Sequence, residues 1–219
     1  MEYRKTDQPF LAVSIAICLL LVFAGLSSAQ AASPTAGGFR IMEGEPSIHI
    51  PGKVFLIEFV DFYCPHCHLF DTSVLPKLTQ EFGDKLHVHM IGYPVIPGKL
   101  PTAFESYEQA NAMGKGQQMK QALFRTIHHD HIQNLDKMIQ KALIQEVGLD
   151  VEQFEAGLQT GKPYQALQKS IEWGNRIQIT STPTIVLNGN MRIDHPSYEN
   201  LRRVIGNLLS QPPAQKTAP

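Results

Sequence analysis

Residues 53–70, KVFLIEFVDFYCPHCHLF, pass from an apolar, β-branched and aromatic run directly into Cys64-Pro65-His66-Cys67. The first part reads as a buried, central β-strand. Pro65 suits the first turn of a helix, because it has no N–H to leave unpaired there. Cys64 then falls at the strand-to-helix junction, near unpaired backbone N–H groups and the positive end of the helix dipole. Both favour a thiolate, and a protonated His66 adds a cation beside the sulfur. Such surroundings bring a thiol from ~8.5 down to roughly 3.5–7.5. A reduced form stabilised in this way makes the corresponding disulfide a stronger oxidant. Cys67, one turn further on, is expected to be shielded.

Working outward, Leu69, Phe70, Val74, Leu75, Leu78 and Phe82 recur at helical spacing, and Gly83 is placed to stop that helix. KLHVHMIGYP, 85–94, reads as a second strand, so strand, helix and strand predict a βαβ unit with a parallel pair. FRIMEG, 39–44, suits a short first strand. From 101 to 178 the patterning is helical throughout. TPTIVLNGNMRID, 182–194, predicts a hairpin turning at Asn188-Gly189, and SYENLRRVIGNLL a final amphipathic helix. The class is α/β, in the order βαβ, helical block, ββα.

The whole chain narrows what the cysteine pair can be. It has 219 residues, a formal net charge of −1 and three cysteines. That balance implies no broad attraction to nucleic acid. Arg4 and Lys5 precede the apolar stretch 10–26, and Ala29 and Ala31 fit a small-x-small cleavage site. Residues 1–31 therefore read as a signal peptide, or as a membrane anchor if uncleaved, and the folded part is expected outside the cytoplasm. Cys18 lies in that apolar stretch, so cleavage leaves only Cys64 and Cys67. Residues 211–219 read as a disordered, proline-rich tail.

Three uses of the pair compete. A structural crosslink two residues apart closes a tiny loop, where loop-entropy stabilisation is smallest. A metal carrier would recruit His66 and His68, with HHDH at 128–131 as a second cluster; a structural zinc site, however, usually needs a second matched pair. His128, His129 and His131 more simply form a solvated helix end. A redox centre needs nothing beyond the pair itself, with no metal and no cofactor except the Cys64–Cys67 disulfide. Glu58, inside FLIEFV, is an ionisable group in an apolar strand, costly unless partnered or protonated. Asp61 is expected to point into water, and Tyr93 to lie on apolar surface near Pro65 and Pro183.

FVDFYCPHC after an apolar strand, a helical insertion, and then TPTIVLNG together resemble the DsbA family of exported thiol–disulfide oxidoreductases, over about residues 53–209. The resemblance implies a thioredoxin fold with residues 32–100 and 179–210 as its thioredoxin-like domain and 101–178 as an inserted helical domain. It implies that Pro183 is cis and faces the cysteines, that the backbone of Thr182 pairs with an extended substrate, and that Glu58 assists proton transfer at the buried thiol. Family members often carry a lysine on the neighbouring strand near that acid; here the strand holds His87, His89 and Met90. The implied activity is donation of the Cys64–Cys67 disulfide to reduced exported proteins in the periplasm, with a membrane-bound partner restoring the disulfide. Residues 32–52 are too short for the dimerisation domain of the isomerase branch, which favours a monomer. A reductase or isomerase serving particular clients is the alternative.

Overall fold

The computed structural model describes residues 38–97 and 101–210. The predicted signal peptide or anchor with Cys18, the leader as far as residue 37, and the tail 211–219 lie outside these residues.

The apolar run forms β2 (Val54–Val60), and β3 (Leu86–Gly92) runs parallel to it. β1 (Phe39–Ile41), β4 (Thr184–Leu187) and β5 (Met191–Ile193) complete a five-stranded sheet in the order β1-β5-β4-β2-β3. β4 is antiparallel to β2, so the chain returns to the middle of the sheet after the helical block. The β4–β5 connection has positive φ at Asn188 (49°) and Gly189 (82°), the turn chemistry expected of Asn-Gly.

The helical run after Cys64 has three parts: α1 (Pro65–Leu69), a π-helical turn (Phe70–Val74) and α2 (Leu75–Phe82). The sequence pattern predicted one helix here. Pro76, inside the first turn of α2, cannot donate to a preceding carbonyl, and the wider turn sits immediately before it. α2 and the last helix, α8 (Tyr198–Ser210), cover one face of the sheet. Leu75, Leu78, Leu201, Val204 and Ile205 pack there against Val54, Leu56, Ile185 and Leu187.

Between β3 and β4 come α3 (Thr102–Ala112), α4 (Gly116–Phe124), a second π-helical turn (Arg125–His129), α5 (Lys137–Glu146), α6 (Val151–Gln159) and α7 (Lys162–Arg176). Asp136 and Asp150 cap α5 and α6, Asp136 accepting from Met138 N and Ile139 N and Asp150 from Gln153 N. The core of this insertion is continuous with the active-site end of the sheet: Phe104, Tyr107, Leu123 and Phe124 belong to one cluster with Val60, Phe62 and Cys67. α7 approaches the end of β3 so closely that a Cβ at Gly174 would collide with the ring of Tyr93. Among the described residues no helix is long and apolar enough to cross a membrane.

Candidate active site

Cys64 is the N-cap of α1, with extended backbone (φ −85°, ψ 116°), and Pro65 takes the first helical position as the sequence predicts. Cys64 and Cys67 stand as a dithiol, both buried. A hydrogen bond from the Cys67 thiol is the main influence on Cys64; the nearby Thr182 hydroxyl and the backbone N–H groups of Cys67 and His66 favour the thiolate further. Together they outweigh burial and hold the Cys64 thiol down at about 5. Cys67 goes the other way: burial first, then the neighbouring Cys64, push its pKa far above the ordinary thiol range. The backbone of His66 is what reaches the sulfur, while its ring is exposed.

The Thr182–Pro183 peptide bond is cis, and it brings the carbonyl of Thr182 to 3.3 Å from Cys64 Sγ, which donates to it. Thr182 Oγ1 is buried and has no hydrogen-bond partner in the dithiol. When Cys64 loses its proton, the carbonyl has no donor left to accept from, and the hydroxyl is the group able to donate to the thiolate. Pro183 is half-buried beside this contact.

Glu58 faces the same side of β2 as Leu56 and Val60, the side on which the cysteine-bearing helix lies. Its neighbours in the sheet are Met90 on β3 and Ile185 on β4. It is fully buried and neither carboxyl oxygen has a hydrogen-bond partner. Burial pushes its pKa up to about 8, against the opposing pull of the Lys120 ammonium, while the Asp71 carboxylate adds a small further rise. Lys120 Nζ pairs with Asp71 Oδ1, and both side chains are at least nine-tenths buried (3% and 9% exposed). A pocket of about 500 Å3 beside them is lined by Asp71, Met90, Tyr107 and Lys120 among others. The cation near the acid therefore comes from the helical insertion, whereas the neighbouring strand supplies Met90 at that level.

Three expectations are corrected. Asp61 does not point into water: it is fully buried, accepting from Tyr63 N at Oδ1 (2.9 Å) and from Val95 N and Ile96 N at Oδ2 (2.8 and 2.9 Å). Three backbone donors 2 to 35 residues away satisfy it, and the more distant two belong to a loop that no local pattern reveals. Tyr93 is buried rather than on the surface, its hydroxyl donating to Asn175 Oδ1 and Ile179 O (2.8 and 3.2 Å). Of the three histidines expected at a solvated helix end, His129 and His131 are exposed, but His128 turns inward. Its Nε2 lies 2.8 Å from the carbonyl of Phe62, and its ring stacks on that of His68, with centroids 4.9 Å apart and planes 6° from parallel.

Lys120 and His128 were the residues sequence reasoning missed. Lys120, Phe124 and His128 are spaced four apart, so they follow one edge of α4 and its π-helical turn, and Phe124 on that edge is apolar. A lysine and a histidine in line with a buried phenylalanine are the signal that was available. Among the described residues no group of three or more His, Cys, Asp or Glu side chains is placed to hold a metal ion.

A thiol held low and a thiol held high, adjacent at the end of a parallel strand and opposite a cis-proline loop, define a dithiol exchange centre. The family model for thioredoxin matches residues 51–207. Over 171 residues the chain is 26% identical to the thiol:disulfide interchange protein DsbA of Pseudomonas aeruginosa, covering 76% of this chain and 79% of that one. It is 25% identical over 166 residues to the probable disulfide bond formation protein D of Bacillus anthracis, covering 72% and 75%. The solved structure of the oxidoreductase DsbA from Xylella fastidiosa superposes with a TM-score of 0.65 at 21% identity, covering 79% of this chain and 94% of that one, a likeness of fold. The chain belongs to the thioredoxin family, and within it to the DsbA family of thiol:disulfide oxidoreductases.

Proposed function

We propose that this protein is exported and, as a monomer, donates the Cys64–Cys67 disulfide to reduced exported proteins. The observation that carries this reading is the opposition between the two thiols, Cys64 held at about 5 and Cys67 held far above neutrality. A client thiolate attacks Cys64 Sγ, a client–Cys64 disulfide forms, and Cys67 leaves as a thiolate. Cys67 takes a proton; Glu58, pushed up to about 8 and hence protonated near pH 7, supplies it. Solvent in the pocket beside Lys120 and Asp71 then restores the proton on Glu58. The second client thiolate attacks its own partner sulfur and displaces Cys64, a good leaving group because its thiolate is stabilised. Two electrons pass from the client dithiol to the enzyme, which leaves reduced.

The backbone at Thr182 would pair with an extended client segment, and Pro65 and Pro183 would offer it an apolar surface. The exposed ring of His66 would meet the client beside the attacked sulfur. A membrane-bound partner that accepts the two electrons would return the enzyme to its disulfide. The signal-peptide pattern of residues 1–31 supports placement in the periplasm.

Equilibration of the full chain with glutathione buffers, read by alkylation and mass, tests the direction. A potential well above that of the glutathione couple is expected. A value near or below that of thioredoxin, about −270 mV, would turn the protein into a reductase.

A further inference from the structure

His128 has no part in the exchange just described, yet it is built against its centre. In the π-helical turn Arg125–His129, Asp130 N bonds to Arg125 O (3.0 Å), and this wider turn separates neighbouring histidines. His129 faces out, with Nδ1 2.8 Å from Asp130 Oδ1, while His128 faces in. A carbonyl only accepts, so the contact with Phe62 O places the His128 proton on Nε2 and leaves Nδ1 free to take another. Phe62 lies two residues before Cys64, and its ring packs against Phe104, Tyr107 and Phe124 of the insertion. His68, the partner in the stack, directly follows Cys67 and also touches Phe124. One imidazole from the insertion thus grips the chain on both sides of the cysteine pair.

We propose that His128 is a positioning residue for the exchange reaction: it anchors the active-site turn through the Phe62 carbonyl and answers the charge of Cys64 by taking a proton when Cys64 becomes a thiolate. The inference rests on the reading of Cys64 as the exchanging thiol.

Facing His128 from other elements are Cys64, Asp61 and the Phe62 carbonyl, which favour its charged form, and His68, which opposes it. On its own turn, Arg125 and His129 are engaged with Asp130, and Arg125 also with Glu146. Burial prevails and holds His128 below the ordinary imidazole range. Among these groups only Cys64 changes charge with redox state: it is neutral in the disulfide and negative in the dithiol. The balanced reduction is disulfide plus two client electrons plus one proton, giving Cys64 thiolate and Cys67 thiol. The inference adds a fractional further proton, taken from solvent onto His128 Nδ1. By linkage, a protonated His128 makes Cys64 easier to ionise.

The test is a histidine NMR titration of the full chain in the oxidised and reduced states. The His128 midpoint should be higher by about half a pH unit in the reduced protein, the size of a partly screened charge contact. His129 should be the same in both states and serves as the control. Equal His128 midpoints would overturn the inference and leave only a structural anchor. His128→Gln, whose amide can still donate to Phe62 O, should raise the Cys64 midpoint read by thiolate absorbance; an unchanged midpoint in a folded variant would likewise overturn it. Alkylation at acid pH, located by mass, separates the two failures. Labelling at Cys64 with unmoved histidines sinks this inference alone, whereas labelling first at Cys67 sinks the reading on which it rests.

Discussion

The β2–α1 junction and the helical insertion bear on the same two sulfurs through different physics. At the junction, the groups that lower the Cys64 pKa, Thr182 apart, come from residues within three positions: the Cys67 thiol and the backbone N–H groups of His66 and Cys67. The insertion works from other segments of the chain, Phe104 to His128, and it works largely through burial. It closes over Phe62, brings Lys120 to the flank of Glu58 and Asp71, and sets His128 under the turn. The local device sets which sulfur is acidic. The distant one sets which protons are available around them.

Cysteine substitutions press hardest on the local side of that comparison. Cys64→Ser should abolish exchange, since Cys67, the other cysteine of the site, is fully buried and held as a thiol. Cys67→Ser cannot form the Cys64–Cys67 disulfide, but its Cys64 thiolate should still attack a client disulfide and release one client thiolate. With no Cys67 to resolve it, the client–Cys64 disulfide should accumulate, seen as reducible adducts on non-reducing gels. Adducts on Cys64→Ser and none on Cys67→Ser would exchange the two roles and detach the acidity of Cys64 from its function.

Lys120→Met presses on the distant side. It leaves the Asp71 carboxylate buried without its cation, and breaking a buried pair from one side costs about 3–5 kcal/mol. Urea unfolding at neutral pH should show that loss. The double variant Lys120→Met, Asp71→Leu should recover most of it, because replacing both ions by apolar side chains removes two desolvation penalties together. If the single variant is as stable as the parent, the pair is not desolvated and the insertion does not shape the surroundings of Glu58 as argued.

How far the sequence revealed each side follows the same division. The strand ending at the cysteines, the proline at the helix start, the parallel β2–β3 pair and the Asn188-Gly189 turn all depend on short-range pattern, and each was legible. Glu58 was legible as an anomaly, an acid in an apolar strand, but its charged neighbours were not, because both come from other elements. Asp61 misled for the same reason: its donors at Val95 and Ile96 arrive from a loop after β3. His128 misled because it was read with its neighbours His129 and His131, which are exposed, rather than with Phe124 and Lys120, four and eight residues before it on the same edge. Contacts that need two distant segments to meet leave at most a trace, such as a lysine in line with a buried phenylalanine.

Glu58 is where the two sides meet, and Glu58→Leu should carry a signed pH dependence. In the unfolded chain this carboxyl ionises near ~4.3; in the folded protein it is pushed up to about 8. Folding therefore holds a proton that the unfolded state releases. Stability should fall as pH rises from ~4.3 toward 8, by about 1.4 kcal/mol per pH unit. Leucine has no proton to hold, so the variant should match the parent near pH 4 and exceed it by about 3–4 kcal/mol at pH 7. The same substitution should slow the steps in which Cys67 gains or loses its proton, by about 10²-fold if Glu58 is the proton carrier. A stabilised variant with unchanged exchange rates would keep the electrostatics and remove Glu58 from the chemistry. Slow exchange without the pH-dependent gain would keep Glu58 in the chemistry and mean that burial does not hold its carboxyl protonated near neutral pH.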